Sequence, residues 1–236
     1  MKQFKHPFNI FNILYVLCFC LTILALYKQI MSYCAARMMT TSSPTDTADI
    51  LDIKRVALTF DDGPHPVYTE QLLDGLAERN IKATFFVTGQ NAELHPDIIK
   101  RMYDEGHLIG NHTYSHMQLT ETNRDTFKSE LVKTNELIES ITGEEVQYVR
   151  PPYGSWDKTF ETELSMFPVL WNIDPLDWCT SDSSCIAFAV IDNVTENNII
   201  LMHDYYSTSV QAALMIVDEL VKQGYEFVTV DKLLFD

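Results

Sequence analysis

Seven short apolar runs recur along residues 51–236 of this 236-residue chain, with helical stretches between most of them. The runs are Arg55–Phe60, Ala83–Thr88, Leu108–Asn111, Gln147–Arg150, Val169–Ile173, Asn198–His203 and Phe227–Val230, and their β-branched and aromatic residues read as strands. Pro66–Arg79, Pro96–Glu105, Arg124–Ile141, Thr159–Met166, Ser184–Val194 and Val210–Gln223 place apolar side chains near 3.6-residue spacing, as in Leu72, Leu73 and Leu76. Strand alternating with helix predicts a parallel sheet, because each parallel strand is regained through a crossover. Residues 51–236 suit one α/β domain, and about seven such units favour a (β/α) barrel over an open doubly wound sheet.

Five of the seven runs end in reactive side chains. They hand over to Asp61-Asp62-Gly63-Pro64, Asn111-His112, Arg150-Pro151-Pro152-Tyr153, Asp174 and Met202-His203-Asp204. In parallel α/β folds the working residues gather where strands pass into loops.

These ends suggest a chemistry. His112 and His116 are four residues apart, ~13 Å in an extended strand, whereas two imidazole nitrogens on one ion, each ~2.0–2.1 Å from it, lie ~3 Å apart. They share an ion only if the chain turns after His112. Asp61 and Asp62, side by side at the end of an apolar strand, repel unless a cation or a proton lies between them. One of them with both histidines makes a three-ligand site with open positions, the pattern of catalytic zinc; the other is left to act as a base. Arg150 calls for an anion, and a carboxylate suits it. The Pro151–Gly154 loop offers backbone N–H groups to an oxyanion. His203 would act as a general acid beside a carboxylate, for which Asp174 and Asp177 are both placed, with Trp178 as an apolar wall.

Charge divides the chain in two. The net charge is −16, but residues 1–50 hold four Lys/Arg against two acids, leaving 13 basic and 31 acidic residues, or −18, in 51–236. That balance, without a basic stripe, disfavours a nucleic-acid partner. Phe8–Tyr27 has no formal charge over twenty residues, which at ~1.5 Å per residue matches a ~30 Å hydrocarbon core. We read residues 1–7 as a cytoplasmic N-terminus, 8–27 as a transmembrane signal anchor, 28–50 as a flexible Ser/Thr-rich spacer and 51–236 as the functional domain outside the cell membrane. Secretion after signal cleavage is the alternative. Cys179 and Cys185 either close a short disulfide in an oxidising compartment or remain thiols.

Taken in order, TFDDGP (59–64), HTYSH (112–116), RPPYG (150–154), DPLDW (174–178) and LMH (201–203) resemble the five motifs of the polysaccharide deacetylases, carbohydrate esterase family four. The resemblance spans about residues 54–233. It implies a distorted (β/α) barrel of about seven parallel strands and metal-dependent removal of acetyl groups from a polysaccharide. By that resemblance Asp62, His112 and His116 hold one divalent metal ion, usually zinc, with cobalt, nickel or manganese as alternatives. Asp61 is the general base, Arg150 orients it, His203 protonates the leaving amine and Asp177 tunes His203. The Tyr153 N–H stabilises the oxyanion, while Trp178 and Leu201 line the acetyl pocket. The expected substrate is N-acetylglucosamine in cell-wall peptidoglycan; chitin oligomers, O-acetylated xylan and non-hydrolytic glycan binding are the alternatives. No protein partner is inferable.

Overall fold

A computed structural model describes residues 54–235. Seven strands form one all-parallel sheet: β1 (Lys54–Asp61), β2 (Thr84–Val87), β3 (Leu108–Asn111), β4 (Tyr148–Val149), β5 (Phe167–Pro168), β6 (Asn198–His203) and β7 (Tyr225–Phe227). The sheet runs β5-β4-β3-β2-β1-β6, with β7 beside the first residues of β1. Helices lie between the strands: α1 (Tyr68–Glu78), α2 (Gly89–Leu94), α3 (Pro96–Asp104), α4 (Arg124–Thr142), α5 (Thr159–Glu163), α6 (Ser183–Ile191), α7 (Ser207–Lys222) and α8 (Val230–Phe235). The expected N-terminal segments 1–7, 8–27 and 28–50 lie outside the described residues. Among the described residues no helix is long and apolar enough to cross a membrane.

Crossover helices cover the sheet, so β1 is buried along six of its eight residues, and its sequence is a near-continuous apolar run rather than an alternation. Leu72, Leu73 and Leu76 of α1 are fully buried, as are Ala213, Ile216 and Leu220 of α7. Two devices bound the helices. Gly143 takes φ 81° at the end of α4, a left-handed conformation that glycine adopts without a Cβ clash. The Asp182 carboxylate starts α6 by accepting from the N–H groups of Ser184 and Cys185.

The sheet curls into a half-barrel whose edges approach through the chain after β5. The expected strand Val169–Ile173 is not regular, and the reason is chemical. The carbonyls of Val169 and Leu170, which a ladder would use, accept instead from the Arg150 side chain. The chain then crosses to β6, where Ile173 forms a parallel bridge with Ile200. Strand β7 also sits earlier than expected: Val230 opens α8 and gives its N–H to the Thr84 hydroxyl. Cys179 is an exposed thiol whose Sγ lies 3.1 Å from the Leu176 carbonyl oxygen.

Gly110, in the middle of β3, is required by packing. A Cβ there would lie 2.5 Å from the ring of Phe86 and 3.1 Å from the Tyr148 carbonyl oxygen. Gly110→Ala should destabilise the fold by about 1–3 kcal/mol through overpacking, read as a lower urea midpoint at unchanged slope; an unaltered midpoint would show that β3 and its neighbours have room to yield.

Candidate active site

Strand register assembles the site. In the β1–β6 pairing Asp61 stands opposite His203, and in the β3–β4 pairing Asn111 stands opposite Val149. The residues that follow, His112 and Arg150, therefore emerge side by side at the same end of the sheet. Asp61 ends its strand, and Asp62 turns away from it with φ 75°.

Arg150 is fully buried and Asp61 is 4% exposed. Nη1 of Arg150 donates to Asp61 Oδ1 at 2.8 Å and to the Thr59 hydroxyl at 2.6 Å. Nε bonds the Val169 carbonyl, Nη2 bonds the Leu170 carbonyl, and the guanidinium lies 4.2 Å from the centre of the Phe86 ring. Burial raises the Asp61 pKa above the ordinary carboxylate range, against the opposing pull of Arg150. One Asp61 oxygen is committed to Arg150. The other, Oδ2, faces His112 Nε2 at 3.8 Å.

His112, Asp62 and His116 form a tight group. One ligand atom from each lies within 4.8 Å of the others, and Asp62 Oδ1 is 3.5 Å from Nε2 of both histidines. His112 Nδ1 is 2.6 Å from the Arg150 carbonyl. A carbonyl only accepts, so Nδ1 carries the proton and Nε2 presents its lone pair. Burial holds the His112 pKa down to about 3, so the ring is neutral. The turn that spacing required is present: Thr113 has φ 62° and His116 φ 58°. The Thr113 hydroxyl accepts from the Met117 N–H, while Glu130 accepts from the backbone and side chain of Ser115. Neutral imidazole, a carboxylate and a second imidazole are the donors that divalent zinc takes, with a bonded outer shell behind His112.

Across a cavity of about 400 Å³ from this group stands His203. Its Nδ1 lies 2.7 Å from Asp177 Oδ1, and its backbone N–H donates to Asp177 Oδ2 at 2.9 Å. Burial disfavours the imidazolium, but the Asp177 hydrogen bond and charge, with Asp61 and Asp62 beyond, outweigh it and raise the pKa to about 9. Of the two carboxylates offered by DPLDW, Asp177 is the partner; Asp174 instead accepts from the Leu176 N–H in its own turn. Tyr153 (φ 59°), Trp178 and Leu201 also line this cavity.

The polysaccharide deacetylase family model matches residues 49–169. The chain belongs to the polysaccharide deacetylase family. It is 39% identical over 185 residues to a peptidoglycan-N-acetylglucosamine deacetylase of Bacillus cereus, covering 75% of this chain and 67% of that one. It is similar to the solved peptidoglycan deacetylase PdaC of Bacillus subtilis, at 39% identity and TM-score 0.74 over 77% of this chain and 90% of the solved one; the chain spans 38% of that relative's full length. A family 4 acetyl xylan esterase of Clostridium thermocellum, solved in complex with a cobalt ion, is 36% identical with TM-score 0.71, over 76% of this chain and 90% of that one.

Three residues that hold this family member's site together had no role in the sequence reading, which placed Asn111 and Asp204 at strand ends and Thr59 within TFDDGP. Asn111 gives its side-chain N–H groups to the Leu131 carbonyl and to Asn135, and accepts from the Thr113 N–H, fixing the turn that carries His112. Thr59 bridges Arg150 to the Ile200 carbonyl. Asp204 is buried, accepts from the Thr69 hydroxyl, and presses so close to Gly63 that a Cβ there would meet its oxygen at 2.2 Å. Burial raises the Asp204 pKa to about 7.

The His203–Asp177 pair makes stability depend on pH. A histidine whose folded pKa is raised from 6.5 to about 9 contributes fully below about pH 6.5 and loses that contribution as pH rises through about 9. Unfolding of the metal-free chain between pH 6 and 10 should show this decline, and Asp177→Asn should flatten it. A decline that persists in the variant would assign it to another group.

Proposed function

We propose that this chain is a metal-dependent hydrolase that removes the acetyl group from N-acetylglucosamine in a polysaccharide, with cell-wall peptidoglycan as the substrate. One observation supports this above the rest: a three-ligand group of two imidazoles and a carboxylate, a buried carboxylate fixed by arginine, and a carboxylate-held histidine face one cavity. Asp62, His112 and His116 would hold the ion, zinc by their donor chemistry, with cobalt, nickel or manganese compatible. Bound there, such an ion supplies Lewis acidity toward the acetyl carbonyl and lowers the pKa of water toward neutrality.

The side chains do the rest. Asp61 takes the proton of the attacking water on Oδ2, the oxygen that Arg150 leaves open. Arg150 orients the carboxylate and pulls against the rise in its pKa that burial causes. The Tyr153 backbone N–H donates to the oxyanion that develops on the acetyl oxygen. Asp177 holds the His203 Nδ1–H, so the cavity side of the ring offers Nε2–H, and His203 gives that proton to the amine nitrogen as the C–N bond breaks. Trp178 and Leu201 wall the acetyl methyl away from water.

The proposed setting follows from the N-terminal segment. Residues 8–27 tether the domain to the outer face of the cell membrane, within reach of wall glycan, and secretion after cleavage would deliver the same domain to the same polymer.

Two measurements test this reading. Asp61→Asn should lower kcat for acetate release from N-acetylglucosamine oligomers about 10²- to 10⁴-fold, and chelation should abolish release until metal is restored; turnover that survives both would exclude the mechanism. His203→Asn should slow release from N-acetyl sugars more than from O-acetyl sugars, because an alkoxide departs with less help than an amine. Equal slowing would remove His203 as the acid.

A further inference from the structure

The two segments that carry the proposed ligands leave strands that are not neighbours. Asp62 follows β1 and His112 follows β3, with β2 between them, which sets the strand axes ~10 Å apart. Both segments nevertheless bring their side chains together, Asp62 Oδ1 lying 3.5 Å from Nε2 of each histidine. They lean inward over the end of β2, and each does so through left-handed residues: Asp62 at φ 75°, Thr113 at φ 62° and His116 at φ 58°. Outside glycine such conformations persist only where the surroundings hold them.

What holds them is the chain just after β2, Thr88–Asn91, which contributes no ligand of its own. On one side the Asn91 side-chain amide donates to the Asp62 carbonyl at 2.7 Å, and the Thr88 hydroxyl reaches the same oxygen at 3.3 Å. The Thr88 N–H donates to the Gly63 carbonyl at 3.1 Å. On the other side the N–H groups of Gly89 and Gln90 donate to the carbonyls of Thr113 and Tyr114, each at 2.9 Å. The N–H groups that open a helix find no acceptor within it, and those of α2 are taken up by the turn between His112 and His116. Gly89 lets the chains come this close: a Cβ there would lie 2.3 Å from the Tyr114 ring, 2.6 Å from the Thr134 hydroxyl and 3.1 Å from the Tyr114 Cα.

We infer that Thr88–Asn91 is a positioning bracket for the metal group, tying Asp62 to the turn of His112 and His116 and so setting the distance between ligands that come from different strands. The inference deepens the metal reading above and rests on it. Backbone groups make most of the bracket, so its demands on sequence fall on two residues, Asn91 for its amide and Gly89 for its missing side chain. Asn91 acts on the Asp62 backbone and Gly89 on that of Thr113, so a change at either reaches the ion only through the placement of its ligands.

The full chain tests this with metal alone. Zinc affinity, read by competition with a chromogenic chelator, should fall about tenfold in Asn91→Ala, as when other groups behind metal ligands are removed. It should fall further in Gly89→Ala, whose added methyl drives the turn away from Asp62. Cobalt loaded in place of zinc reports the ligand arrangement through its visible absorption, and its bands should shift in both variants; a general loss of stability would lower the urea midpoint without moving them. Asn91→Ala decides the matter where Gly89→Ala fails to fold. Asn91→Ala with the zinc affinity and cobalt bands of wild type would overturn the bracket while leaving the metal site intact. Wild-type chain that takes up neither ion would sink the metal reading and the bracket with it.

Discussion

The contact between Arg150 and Asp61 is the one on which the other parts of the site depend. Taking a guanidinium and a carboxylate out of water costs several kcal/mol for each ion unless the pair is close and the remaining groups are bonded. Here both conditions hold: the ions meet at 2.8 Å, and Thr59, Val169 and Leu170 accept from the other guanidinium donors. Burial pulls both groups toward neutrality, yet arginine does not deprotonate in this range, so the guanidinium keeps its charge, favours the ionised form of Asp61 and orients it. The same residue works through its backbone. Its N–H bonds Asn111 and its carbonyl fixes His112, so one side chain and one peptide unit join β1, β3, β4 and the chain after β5.

A second principle follows from burial. His112 and His203 face the same cavity and titrate in opposite directions, toward about 3 and about 9. Desolvation acts on both; the partner decides. A carbonyl oxygen sets the His112 tautomer without adding a full charge, which leaves a neutral ligand. The Asp177 carboxylate makes His203 an imidazolium and so an acid. Two identical side chains thus take different work from their surroundings, as paired catalytic groups do when their environments push their pKa values apart.

Much of this was legible in the sequence because strand ends carry it. The parallel sheet was readable from alternation, and the placement of Asp61, His112, Arg150 and His203 at one end of it follows from where each strand stops. The ligand group needed one thing more, a turn after His112, whose positive φ values at Thr113 and His116 leave no mark in residue spacing. The 169–173 run misled for a related reason: its apolar residues read as a strand, but its carbonyls serve Arg150, a contact 19 and 20 residues distant. The roles of Asn111, Thr59 and Asp204 were not legible, although two of them were noted at strand ends, because a short polar residue beside an apolar run announces no partner until tertiary contacts assign its bonds. Helix α2, only six residues long with Gly89 and Ala92 buried, is too short to show a period.

The central claim is that Asp62, His112 and His116 form one metal site inside the curled sheet. Equilibrium dialysis of the purified chain against zinc, followed by elemental analysis, tests it most directly. The account predicts one tightly held ion per chain, lost when His112→Ala and Asp62→Asn are combined while the fold is retained. A chain that holds no ion, or a double variant that still holds one, would contradict it.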